Sequence, residues 1–156
     1  MLEINIPGRG KIVLEHLVCD VNGTLAVDGT LIEGVQEKID NLRNQLEIHL
    51  VTANTHGKQN EIDLILNLKS VILSPGQEAN QKADYVRNLG SENVAAIGQG
   101  ANDAVMLMEA KLGICVISPE GTAVEALLAS DIVVPDILRG FEILERPKRI
   151  IADLRK

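Results

Sequence analysis

The stretch LVCDVNGTL, residues 17–25, decides how the rest of the chain is interpreted. Its apolar run ends in an aspartate and then turns through a glycine, which is typical of a buried strand followed by a loop. Two interpretations of Asp20 stay open on this stretch alone. The carboxylate could cap the turn, or it could be a nucleophile beside backbone N–H groups, at Gly23 and Thr24, that can receive an anion.

The chain on both sides of this stretch alternates between short apolar runs and helical stripes. Residues 2–6 alternate apolar and polar side chains, and a second apolar stretch runs from Ile12 to Cys19, so an N-terminal β-hairpin leads into a buried strand. This order predicts an α/β fold with a three-layer, Rossmann-like, mainly parallel sheet and helices on both faces. Predicted helices cover a stripe from residue 32 to 46 and residues 58–68, 78–89, 101–110, 123–129 and a C-terminal segment; predicted strands cover 48–51, 71–73, 94–97, 114–117 and 132–134.

Length and charge limit the classes of function. The 156 residues predict a single domain over 1–156. With 15 basic and 22 acidic side chains the net charge is −7, which argues against nucleic acid and anionic membranes as partners. No apolar run is long enough to span a bilayer and no leader is evident, so a cytoplasmic location is expected. The two cysteines lack ligand spacing and are predicted to be core thiols.

Polar residues follow several predicted strands, at the edge of a parallel sheet where ligands bind. Asp20 follows the first buried strand, Thr52 the next, and the turn Gly98-Gln99-Gly100-Ala101-Asn102-Asp103 a later one, while Lys82 lies in a predicted helix. A threonine hydroxyl suits a phosphate oxygen, and a lysine supplies a compact cation. Alone, each has a simpler explanation: a helix cap, a solvated side chain or a common turn. Together they indicate a phosphoryl-transfer site.

In these motifs the sequence resembles the haloacid dehalogenase-like superfamily, and within it the phosphorylation domain of P-type ATPases. The segment DVNGTL resembles the aspartate nucleophile motif and VTANT the Ser/Thr motif. Residues 75–82 resemble the Pro-then-Lys motif, GQGANDAVML the Gly-Asp-Gly-x-Asn-Asp motif, and residues 120–133 the stretch that follows it in the pumps. The closeness points to the small soluble, P-type-ATPase-like members.

The resemblance implies a Mg²⁺-dependent phosphatase that works through an aspartyl phosphate on Asp20. Thr52 and Lys82 would hold the transferred group, Gln99 takes the place of a metal-binding aspartate, and the Asn102–Asp103 pair would orient water and the lysine. The candidate catalytic residues are Asp20, Asn22, Thr52 and Lys82; the candidate phosphate-binding residues are Gly23, Thr24, Thr52, Ala53 and Lys82; the candidate Mg²⁺ ligands are Asp20, Asn22 (through its backbone carbonyl), Gln99 and Asp103, with Asn102 behind them.

Two departures from the family pattern bear on activity. Most phosphatases of the superfamily carry a general acid/base Asp where this chain has Asn22, so hydrolysis is expected to be slow. Gln99 replaces a carboxylate, which should lower the affinity for Mg²⁺. Mg²⁺ and Lys82 against Asp20 and Asp103 leave a net charge of about +1 that favours a phosphate dianion. A phosphate-binding protein with little turnover is therefore the alternative function.

The spacing between motifs leaves no room for a cap domain, since one helix and one strand fill each gap. We therefore expect an open site, which a homo-oligomer could cover, and a phosphorylated small molecule or phosphoprotein as substrate. A receiver-like phosphoacceptor is disfavoured, because its acceptor lies on a later strand. The three histidines share no ligand spacing, and only His56, in the loop after the threonine motif, could reach the site.

Overall fold

The computed structural model describes all 156 residues, and its centre is a parallel sheet of six strands in the order β10-β9-β8-β3-β6-β7. Five of the six strands are apolar runs, as expected for strands that are covered on both faces. Antiparallel pairs β1–β2 and β4–β5 lie outside this sheet. The strands are β1 Leu2–Ile6, β2 Gly10–Leu14, β3 His16–Asp20, β4 Ala26–Val27, β5 Thr30–Leu31, β6 Glu47–Thr52, β7 Val71–Ile72, β8 Val94–Gly98, β9 Leu112–Val116 and β10 Ile132–Val134.

Seven helices cover the sheet and complete the three layers. The larger apolar cluster joins one sheet face to α1, α2, α6, α7 and the β1–β2 hairpin, and the smaller cluster joins the other face to α3, α4 and α5. Aliphatic side chains dominate both clusters, since Phe141 is the only aromatic residue in either core. The helices are α1 Val35–Leu42, α2 Gln59–Leu66, α3 Glu78–Leu89, α4 Ala104–Glu109, α5 Val124–Ala129, α6 Ile137–Glu145 and α7 Pro147–Leu154.

The predicted α/β alternation and the N-terminal hairpin are confirmed, with three differences in detail. The apolar stretch from Ile12 to Cys19 is two strands, because the chain leaves the hairpin at Glu15 and enters the central sheet. A small hairpin, β4–β5, lies between the aspartate motif and α1, where no strand was predicted. The C-terminal helix is two helices, since Pro147 starts α7 and has no N–H to continue α6.

The strand order places the aspartate motif at the switch point of the sheet. From β3 the chain builds outward through β6 and β7, then returns to the other side of β3 and builds outward through β8, β9 and β10. Loops after β3 and β8 therefore diverge to opposite sides, and a crevice opens at the carboxyl ends of these strands. Asp20 is the last residue of β3 and lies at this crevice.

The structure also bears on the other expectations. No cap domain is present, because the gap after the aspartate motif holds the β4–β5 hairpin, α1 and β6. No helix has the length and apolar character needed to cross a membrane. Cys19 and Cys115 are both buried and form no disulfide, which confirms the prediction of core thiols.

Candidate active site

The centre of the site is a buried ion triad of Asp20, Lys82 and Asp103. The Lys82 Nζ atom donates to Asp20 Oδ1 and to Asp103 Oδ1, and both distances are 2.7 Å. Lys82 is 1% exposed, Asp20 5% and Asp103 0%. Two carboxylates and one ammonium group leave a charge of about −1 in a place with little access to water, which is costly for the fold without a further cation.

Three elements bring the triad together at the crevice. β3 ends at Asp20, α3 carries Lys82 on its buried face, and the turn after β8 carries Asp103. Asp103 Oδ2 accepts hydrogen bonds from the backbone N–H groups of Gln99, at 3.0 Å, and Gly100, at 2.9 Å. The Asp103 carboxylate therefore ties the turn to Lys82, and both of its oxygens have protein donors.

Glycines allow this turn to close tightly. A Cβ atom on Gly98 would lie 2.6 Å from Asp103 Cγ, and one on Gly23 would lie 2.0 Å from the Gln99 Nε2 atom. Real Cβ contacts are not this short, so side chains at either position would displace the polar groups of the site. Gly23 also has a φ of +80°, which an L side chain rarely adopts.

Burial and charge shift the pKa values of the triad in directions that suit phosphoryl transfer. Burial, followed by the charge of Asp103, raises the pKa of Asp20 from 3.8 to about 7, although Lys82 and Thr24 oppose the shift. Burial would lower the pKa of Lys82, but the charges of Asp20 and Asp103 outweigh it and raise that pKa above its ordinary value. The lysine therefore stays cationic, and Asp20 becomes a more basic carboxylate.

Thr52 lies beside the triad with its hydroxyl proton available. Thr52 Oγ1 accepts from the Asn54 N–H at 2.9 Å and from the Asn22 side-chain amide at 3.2 Å. Because the oxygen accepts both bonds, its own proton is left to donate to a bound anion. The backbone N–H groups of Asn22 and Ala53 donate to no protein acceptor, so they are also available to donate to a bound anion.

The loop after β3 uses two donors that the sequence assigned to an anion. The Gly23 N–H donates to the Ala26 carbonyl at 2.7 Å, and the Thr24 N–H donates to the Val21 carbonyl at 3.1 Å. Neither N–H group is free in this structure, because both close the turn that begins the β4–β5 hairpin. Instead, the Thr24 hydroxyl donates to Asp20 Oδ2 at 2.8 Å, a side-chain contact that the sequence pattern did not reveal.

Some of the predicted Mg²⁺ ligands have an oxygen atom that can bind a hard divalent cation, and Asp103 does not. The Asn22 carbonyl accepts no hydrogen bond, and Asp20 supplies a carboxylate, so both atoms suit Mg²⁺. Gln99, half-buried against Gly23, offers an amide at the same edge. Asp103 differs from its assignment as a ligand, since Lys82 and two N–H groups occupy its oxygens; its geometry is that of a residue that orients the lysine. Asn102 is exposed beside this turn.

The first comparisons are of sequence. The chain is 40% identical over 84 residues to an uncharacterized protein of Methanocaldococcus jannaschii, covering 51% of this chain and 90% of that protein. A probable copper-exporting P-type ATPase of Archaeoglobus fulgidus is 34% identical over 108 residues, which cover 68% of this chain but only 13% of the pump. No family model matches the chain.

Solved structures share the fold. The 3-deoxy-D-manno-octulosonate 8-phosphate phosphatase of Moraxella catarrhalis, determined with magnesium, phosphate and KDO, superposes with a TM-score of 0.67 at 18% identity and covers 89% of this chain and 90% of its own. The fold is that of the haloacid dehalogenase-like superfamily. The resemblance stated from the motifs is thus confirmed, and the likeness to the pumps is confined to a small part of their length.

The three histidines do not join the triad. His56 is exposed, and its Cβ lies against Gly29 of the β4–β5 turn rather than against Asp20. His16 and His49, which have no ligand spacing in the sequence, lie next to each other on neighbouring strands, with Nδ1 of the first 3.1 Å from Nε2 of the second. Sequence spacing missed this pair because strand register, not separation along the chain, brings the rings together.

Proposed function

We propose that this protein is a Mg²⁺-dependent phosphohydrolase that forms an aspartyl phosphate on Asp20 and turns over slowly. The observation that carries the proposal is the position of Asp20 at the switch point of the sheet, hydrogen-bonded at 2.7 Å to a lysine that also binds Asp103. Stabilising the fold does not explain the ion triad, because apolar residues of similar volume stabilise a core as well or better.

The charge of the site supports a dianionic substrate once a divalent cation is bound. Asp20 and the Asn22 carbonyl, with Gln99 beside them, would hold Mg²⁺, which would neutralise charge on the phosphoryl group. The triad and the cation together carry a charge of about +1, which attracts a phosphate dianion. Thr52 and the Ala53 N–H would then donate to phosphoryl oxygens, and Lys82 would stabilise the charge that moves to them in the transition state.

The reaction proceeds in two displacements at phosphorus. One Asp20 carboxylate oxygen attacks the phosphorus atom, the bond to the leaving oxygen breaks, and that oxygen departs with the electron pair. Water then attacks the phosphorus of the aspartyl phosphate, inorganic phosphate leaves, and the Asp20 carboxylate is regenerated. The buried lysine stays protonated through both steps, because its pKa is raised by the two carboxylates.

Asn22 determines which substrates react well. Its amide donates to Thr52 Oγ1 at 3.2 Å, and the motif resemblance places at this position the carboxyl group that delivers a proton to the leaving oxygen. An amide cannot deliver that proton, and general acid catalysis contributes about 10² to 10⁴ in rate. We therefore expect substrates whose leaving groups depart without protonation, such as acyl phosphates and activated aryl phosphates, to react fastest.

A series of aryl phosphates with phenols of increasing pKa tests the proposal directly. The wild-type rate should fall steeply along the series, and Asn22→Asp should flatten the dependence by raising the rates of the poorest leaving groups about 10² to 10⁴-fold. Asp20→Asn should abolish turnover at every member. Asn60→Asp, on the exposed face of α2, is the matched control for the added charge and should change nothing.

A second function, phosphate binding with little turnover, is favoured by the same amide at position 22. In that case Mg²⁺ with inorganic phosphate or beryllofluoride would raise the melting temperature of the wild type, while no aryl phosphate is hydrolysed above background. A rate for p-nitrophenyl phosphate that requires both Mg²⁺ and Asp20 would exclude it. In either function the site is open, and the substrate or ligand would be a phosphorylated small molecule or phosphoprotein, with a second copy of the chain able to cover the crevice.

A further inference from the structure

A second group of metal-ligating side chains lies on the opposite end of the central strands. His16 on β3 and Glu47 and His49 on β6 bring one ligand atom each to within 4.8 Å of one another. The parallel register pairs His16 with Glu47 and Val18 with His49, so all three side chains lie on the sheet face that α3 covers. From Asp20 to His16 is four residues of strand, about 13 Å, so the cluster is separate from the phosphoryl-transfer site.

We propose that His16, Glu47 and His49 form a binding site for Zn²⁺ or a similar divalent transition metal. The His16 Nδ1 and His49 Nε2 atoms are 3.1 Å apart. Glu47 Oε2 lies 3.4 Å from His16 Nδ1, and the other carboxylate oxygen, Oε1, lies 3.9 Å from His49 Nε2. A tetrahedral zinc ion with bonds of about 2.0–2.1 Å requires ligand atoms about 3.4 Å apart. The two imidazole nitrogens therefore stand close to the spacing of two corners of such a tetrahedron, and the Glu47 carboxylate lies near enough to supply a third ligand atom.

Tyr85 on α3 supports the His49 ring in the orientation that a metal needs. The Tyr85 hydroxyl and His49 Nδ1 are 2.9 Å apart, so Nδ1–H can donate to the phenol oxygen while Nε2 keeps its lone pair for the cluster. Histidine ligands in metal sites usually donate their other N–H in this way.

The two histidines of the site are largely buried, whereas the glutamate is exposed to solvent. The His16 and His49 side chains are 17% and 10% exposed, whereas Glu47 is 68% exposed. A carboxylate that is free to swing can complete the ligand set with little strain, and solvent can supply the fourth ligand. Two imidazoles and one carboxylate favour zinc-like ions, while Mg²⁺ prefers oxygen ligands only, so the two sites should select different metals.

Tyr85 makes the site observable, because it is the only tyrosine and the chain has no tryptophan. Titration of Zn²⁺ into EDTA-stripped protein, with Mg²⁺ held in excess to occupy the Asp20 site, should change the tyrosine emission and raise the melting temperature. Co²⁺ in place of Zn²⁺ should give the visible absorption of a four-coordinate complex. His49→Gln and His16→Gln should each weaken Zn²⁺ binding at least tenfold, and Tyr85→Phe, followed by cobalt absorption, should weaken binding about 10 to 100-fold.

Two controls keep the result specific. His56→Gln removes the third histidine, which is exposed and remote from the cluster, and should leave the Zn²⁺ response unchanged. Asp20→Asn should also leave it unchanged, so that failure of the phosphatase proposal does not affect this one. Glu47→Gln, an exposed position, is the variant safest for folding and should weaken binding measurably. An emission and melting temperature indifferent to Zn²⁺, or a loss of binding in either control as large as in His49→Gln, would overturn the proposal.

Discussion

Replacing Asp20 with asparagine should make the metal-free protein more stable, although it removes the proposed nucleophile. In the absence of a divalent cation the triad holds two carboxylates against one ammonium group, and all three side chains are at most 5% exposed. Asparagine is nearly isosteric, and its Oδ1 atom can still accept the hydrogen bond from Lys82. The substitution therefore removes the excess negative charge and keeps the packing.

The size and the pH dependence of the effect follow from the pKa of Asp20. That pKa is about 7 in the folded protein against 3.8 for an ordinary aspartate, so between these values the folded state holds a proton that the unfolded state has lost. The wild-type free energy of unfolding should thus fall as the pH rises from about 4 to about 7 and stay level above it. Three pKa units correspond to about 4 kcal/mol, the upper limit of the gain expected in Asp20→Asn at pH 8.

Urea unfolding in EDTA at a series of pH values measures this gain. The free energy of unfolding of Asp20→Asn should exceed that of the wild type by an amount that grows with rising pH and is largest above pH 7. On heating, the melting temperature of the variant should be up to roughly 8–16 °C higher than that of the wild type. Asp84→Asn, a matched change at a side chain that is 65% exposed, should give a small and nearly constant gap. Mg²⁺ should then stabilise the wild type more than Asp20→Asn. A variant less stable than wild type at pH 8 without metal would refute the electrostatic reasoning.

Three further predictions concern single positions. Lys82→Met leaves two buried carboxylates without a cation and should cost about 3–5 kcal/mol of unfolding free energy at pH 8; a loss under 1 kcal/mol would contradict the role given to the lysine. Gly113→Ala places a Cβ 2.4 Å from the Leu107 carbonyl oxygen and should lower stability by roughly 1–3 kcal/mol in thermal unfolding. Gly140→Ala, inside α6 with its nearest neighbour atom at 3.5 Å, should instead stabilise by about 0.5–1 kcal/mol, and a destabilised protein would argue against the helix position.

Local patterns were sufficient for the architecture because every strand of the central sheet except β6 is a short apolar run and the helices α1, α3, α6 and α7 have a polar face. The element boundaries that were missed are marked by single polar or turn residues and not by the hydropathy pattern of a whole element. The break between β2 and β3 is marked only by the polar pair Glu15-His16 within an otherwise apolar run. The β4–β5 hairpin could have been found, because Asp28-Gly29 between apolar residues is a strong turn signal. Pro147 likewise marked the start of α7.

The site shows a different limit of sequence reasoning. Residue types and order were enough to bring Asp20, Lys82 and the turn after β8 to one edge of the sheet, because the carboxyl ends of parallel strands meet there. They could not say which donors each oxygen would receive. The N–H groups of Gly23 and Thr24 close a turn instead of facing an anion. The two Asp103 oxygens accept hydrogen bonds from the lysine and from the backbone.

The two amides that depart from the family pattern have a common electrostatic consequence. Asn22 and Gln99 contact Thr52 and Gly23 close to Asp20, so a carboxylate at either position would add negative charge to a buried triad that already carries an excess of about one. Each added charge would raise the pKa of Asp20 further and destabilise the metal-free fold. The amides avoid that cost, but they also remove ligand charge from the cation and the proton from the leaving group. We therefore expect the same two amides to give both a lower turnover and a more stable metal-free protein.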